Sequence, residues 1–106
     1  MRVKNSPHSQ YLLCAYHAHN VGDKAAARLW LGRALRVLEK AGVDLPAQAY
    51  EAADEASWHE AERFIREAVV VHLARLVKSG HSIHSFYDAA WDEWNRDKGV
   101  SDWEEM

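Results

Sequence analysis

Seven histidines in a chain of 106 residues are the first place to look for chemistry. Imidazole ligates metals and titrates near neutrality. His81, His84 and Asp88 stand three and four residues apart, a spacing that shares one helical face. Two nitrogens and a carboxylate are a workable set for zinc or a related ion. Surface histidines near a helix start are the plainer reading. No metal and no cofactor is therefore expected, and this trio is the candidate to check. His17 and His19 are two residues apart and point to different faces of a helix, which suits chelation badly. Glu55 and His59 are one turn apart on a continuous helix. The His59-Glu60 pair lacks a second histidine four residues on, where Arg63 stands, so the metalloprotease pattern is broken. The Glu-x-x-His motif of di-iron bundles is absent. His72 lies on an apolar helical stripe and reads as a core histidine, with a pH-responsive role as the alternative.

Nucleophilic catalysis has little support. Cys14 sits between Leu13 and Ala15 and reads as a small core residue. No serine occupies a nucleophile-elbow context, and Gly32 and Gly42 are isolated rather than part of a phosphate-cradling loop. The chain is not expected to be an enzyme. A single cysteine excludes an internal disulfide and a four-cysteine zinc site. No apolar run approaches the roughly 20 residues of a bilayer span, and no apolar signal region follows the first charges. The expectation is a soluble cytoplasmic protein.

The elements that must position these residues are helices. Alanine occurs seventeen times and proline twice, and no stretch alternates apolar with polar residues as a strand would. The fold class is all-α, a compact antiparallel bundle of four to five helices in a single domain over 1–106. Ser6-Pro7 starts a helix over about 7–20, stopping at Gly22. Asp23 caps a second over about 23–41, with Gly42 beyond. Its core stripe is Ala27, Trp30, Leu31, Ala34, Leu35, Leu38 and Ala41, with Arg33, Arg36, Lys40 and Leu29 opposite.

From Pro46 to Lys78 no glycine or proline occurs, yet the apolar stripe changes phase at Ser57. Ser57-Trp58-His59-Glu60 fits a capping box, so two helices are predicted, about 46–56 and 58–79. Ala49, Ala52, Ala53 and Ala56 face the core on the first. Trp58, Ala61, Phe64, Ile65, Ala68, Val69, His72 and Leu76 do so on the second. The run Val69-Val70-Val71 makes that second helix apolar around much of its girth, as a central helix would be. Ser82 caps a last helix over about 82–97, with Ile83, Phe86, Tyr87, Ala90, Trp91 and Trp94 inward, and a polar tail occupies 98–106.

Gly22-Asp23-Lys24-Ala25-Ala26-Ala27, followed by Leu31, Ala34 and Leu35, resembles the second half of a tetratricopeptide repeat. In that register Tyr11 holds a bulky first-helix position. Ala15 replaces a usual glycine, Ala18 an aromatic, Cys14 a leucine and Glu39 the closing proline. The resemblance covers about a third of the chain, and no second copy follows residue 45. It implies a helical hairpin with small residues at the crossing, and protein binding rather than catalysis.

Charge is divided unevenly. Residues 1–44 carry a net +4 and residues 45–106 a net -7, summing to -3. Non-specific nucleic-acid binding draws on a basic excess that the whole chain lacks. Trp103 stands in the acidic tail among Asp102, Glu104 and Glu105, with Asp92 and Glu93 upstream. A tryptophan there is a potential anchor in a partner's pocket, and the acids orient approach. Arg33, Arg36 and Lys40 form a second contact patch. The leading expectation is a small non-enzymatic module that binds another protein or protein complex. Small, motif-free chains with an acidic surface are typical of phage or mobile-element inhibitors of host defence complexes, anti-CRISPR proteins among them, which is the specific form expected. The alternatives are a nucleic-acid-associated regulator using the basic face of the second helix, and a metal-binding or pH-responsive bundle.

Overall fold

The computed structural model describes residues 7–84, 86–88, 90 and 91. Helix α1 spans Pro7–Asn20, α2 Lys24–Lys40, α3 Ala47–Asp54 and α4 Trp58–Lys78. A fifth helix, α5, comprises the described residues 83, 84, 86–88, 90 and 91. The fold is an all-α bundle, as the sequence pattern predicts, and α1 to α4 begin and end within about two residues of the expected positions, while residues 92–97 of the expected last helix lie outside the described residues. Ser6, Trp94 and the tail 98–106 lie outside the described residues.

Helices α1 to α4 end alike. One residue beyond the C-cap turns left-handed, and its N–H and the next return to carbonyls of the last turn. Glycine fills that position at Gly22, Gly42 and Gly80, whereas α3 uses Ala56, at φ 57°. There the Ser57 N–H reaches the Ala52 carbonyl at 2.9 Å and the Ala56 N–H reaches Ala53 at 3.0 Å. This turn also undoes the expected capping box. Ser57 is the N-cap of α4, but its side chain makes no capping hydrogen bond. Its own N–H, which Glu60 would accept in a box, already closes α3. Two other caps form as predicted. The Asp23 carboxylate accepts from the Ala26 N–H at 3.0 Å. The Ser82 hydroxyl accepts from the His84 N–H at 3.0 Å.

The central helix is α2, not α4 as the valine run implied. Six residues of α2 are buried, and it packs against α1, α3 and α4. Only Ala61, Ile65 and Val69 are buried on the longer α4. Successive helical residues are about 100° apart, so Val69 faces inward while Val70 and Val71 are left exposed. Val37 joins the buried face of α2 because Ala90 of α5 closes over it, together with Tyr11 and Ala34. Ile83, expected in the core, is exposed because it occupies the first turn of α5, before Phe86 reaches the interior. Alanine sets the close approaches: Ala18, Ala27 and Ala56 form one buried cluster, and Ala15, Ala49, Ala52, Ala53 and Ala61 belong to the main core. Tyr11, Ala15, Ala18, Ala27 and Ala34 are all buried.

Candidate protein-docking face

Helix α1 carries more apolar side chains than its neighbours cover. Tyr11, Ala15 and Ala18 turn inward. Ser9, Leu12, Leu13 and Tyr16, spaced three and four residues apart, lie along a second line that meets the start of α4. Trp58, the first residue of α4, and Glu62, one turn later, form the opposite wall. Together they line an open groove of about 320 Å³. Leu13 is 53% exposed and Tyr16 38%. Both are large side chains left in water beside a half-buried tryptophan.

Trp58 is held in place. Its indole N–H donates to the Leu12 carbonyl at 3.2 Å, tying the start of α4 to the middle of α1. The Tyr16 ring sits 4.9 Å from the indole, centroid to centroid, at 55°. His19 stacks on the indole at 6.5 Å, and His59 meets it edge-on at 5.2 Å. His19 and His59 are 5.6 Å apart. Glu62 is engaged by Arg66 one turn along α4. The face thus has two aromatic rings in contact, Tyr16 and Trp58, with two imidazoles and one carboxylate beside them. Amphipathic rings of this kind dominate the energetics of protein interfaces, because they bring large area at small entropic cost.

The residues singled out from the sequence fall elsewhere. Arg36 and Lys40 are exposed on α2. Arg33 is half-buried, its guanidinium 5.2 Å from the Trp30 ring centroid, so part of the basic patch serves packing. Leu29 is exposed beside them, as its position predicts. Trp103, Asp102, Glu104, Glu105, Asp92 and Glu93 lie outside the described residues. Among the described residues no three His, Cys, Asp or Glu side chains gather to hold a metal ion. His81 precedes α5, with its N–H bound to the Leu76 carbonyl at the end of α4, so it does not share a helical face with His84 and Asp88. Burial pushes the Cys14 thiol pKa up, away from thiolate reactivity. Burial, with a contribution from Arg75, lowers the pKa of the half-buried His72, whose ring lies 5.4 Å from Phe86.

The sequence reading missed the α1 face, although a signal was there. Residues 11 to 16 are Tyr-Leu-Leu-Cys-Ala-Tyr, apolar around more of the helix than two neighbours can bury. It also missed His8, buried against Phe86. Among the described residues no helix is long and apolar enough to cross a membrane. No known protein family, curated protein or solved structure matches the chain, so the face stands on its geometry alone.

Proposed function

We propose that this chain is a small non-enzymatic binding module that docks another protein on the α1–α4 face. The observation that supports it most is the juxtaposition of exposed Leu13 and Tyr16 with the Trp58 ring, fixed by its bond to Leu12. A partner that inserts an apolar side chain beside Tyr16 removes this surface from water, at roughly 25 cal/mol per Å² of apolar area. Glu62 in the groove wall, with His19 and His59 against the Trp58 ring, supplies polar contacts that set orientation. The narrower form, an inhibitor of a defence complex that acts through its acidic end, rests on residues 92–105, all of which lie outside the described residues.

The test is affinity capture from nuclease-treated lysate of the source cells, with the wild-type chain beside Leu13→Asp and Tyr16→Ala. Both positions are exposed, so both variants should fold. The expected result is a stoichiometric protein partner on the wild type, lost with Leu13→Asp and reduced with Tyr16→Ala. Recovery of nucleic-acid-dependent material alone, or a partner indifferent to both changes, contradicts the reading.

A further inference from the structure

Gly32 lies in the middle of α2, where glycine makes folding roughly fivefold less favourable than alanine. Nothing among the described residues requires it. Its backbone is not left-handed, and a β-carbon added there meets no atom within 4 Å. The open space above it is a groove of about 420 Å³ between α2 and α3. Its floor is Gly32 with the buried Leu35 and Ala53.

Two hydrogen bonds brace the walls. Arg28 donates from Nε to the Asp54 carbonyl at 2.9 Å, and the Tyr50 hydroxyl donates to the Glu39 carboxylate at 3.0 Å. The groove is therefore shaped before anything enters it. Its surroundings carry more acid than base: the exposed carboxylates of Glu39, Glu51 and Asp54 stand against the one guanidinium among the lining residues, Arg28, which is also exposed and bonds the α3 backbone.

We propose that this groove is a second docking site, for a segment of another protein that lays an apolar side chain over Gly32 and a lysine or arginine against the Glu51 and Asp54 carboxylates. The missing β-carbon lets the incoming side chain reach the helix backbone, a use of glycine that offsets its cost in α2. The acidic rim selects a cation at the flank, and that attraction weakens with salt. This site shares no lining residue with the α1–α4 face, so the two proposals stand or fall separately.

The experiment is selection from a displayed library of random peptides against the full chain, followed by binding measurements on the enriched peptides. The expected consensus pairs an apolar residue with lysine or arginine, and affinity falls as salt rises. Gly32→Ala should raise the Tm by about 4–8 °C and weaken these peptides about tenfold. Glu51→Lys and Asp54→Lys should weaken them too, and Tyr16→Ala should leave them unchanged. The proposal is overturned if no such consensus emerges, or if Gly32→Ala binds as the wild type does. A lower Tm for Gly32→Ala would also overturn it, since the fold itself would then need the glycine. Peptides lost with Tyr16→Ala but not Gly32→Ala would assign the binding to α1–α4 instead.

Discussion

His8 carries its imidazole into the bundle and stands edge-on to Phe86 at 6.4 Å, while His72 approaches the same ring at 5.4 Å. Burial lowers the His8 pKa from 6.5 to about 4. In the unfolded chain His8 takes up its proton near pH 6.5, whereas the folded protein refuses it until about pH 4. The unfolded state thus binds more protons in that window, so stability is complete above pH 6.5 and drains away as pH falls towards 4. The difference corresponds to about 3 kcal/mol, and His72 acts in the same direction. Urea denaturation at pH 7 and pH 4 should show this loss in the wild type, and a His8→Leu variant should lose about 3 kcal/mol less over the same interval. Equal losses would place the acid sensitivity elsewhere. The sequence marked His72 as the inward histidine and passed over His8. Its burial depends on Phe86, nearly eighty positions away, and no local periodicity reports that.

Among the elements, the break between α3 and α4 carries the clearest energetic signature. The phase change of the apolar stripe at Ser57 was legible, and so was the alanine face of α3. The device that makes the break was not, because alanine at φ 57° is uncommon, whereas glycine announces the other three turns. Ala56 is also buried with Ala18 and Ala27. Ala56→Val puts a β-branched residue in a left-handed conformation and adds bulk to a tight cluster, at a cost of about 2–4 kcal/mol. Ala56→Gly relieves about 1 kcal/mol of backbone strain and forfeits about 0.8 kcal/mol of buried methyl, so it should be nearly neutral. Thermal melts of the two variants check this, and equal Tm values would mean that the turn is not left-handed at Ala56. The valine run of α4 misled for a related reason. Composition around a helix says which faces are apolar, but the packing of its neighbours decides which are covered: α2 buries six residues and the longer α4 three.

For the molecule as a whole, helical patterning and caps exposed the bundle, because periodicity, glycine stops and N-caps are local properties. The proposed docking face was much less legible. Trp58 reads as a core residue from its stripe, and its half-exposure follows only from where α4 starts against α1. Arg33 reads as free charge and is found against Trp30. The central claim is that the α1–α4 face is what a partner covers. Hydroxyl-radical footprinting of the chain, alone and bound to the protein it captures, reads side-chain exposure directly at Leu13, Tyr16 and Trp58. The account predicts that oxidation of these three falls severalfold in the complex, while exposed Leu29 on α2 and Val70 on α4 keep their rates. Unchanged oxidation at Leu13 and Tyr16, with protection confined to other helices, would contradict it.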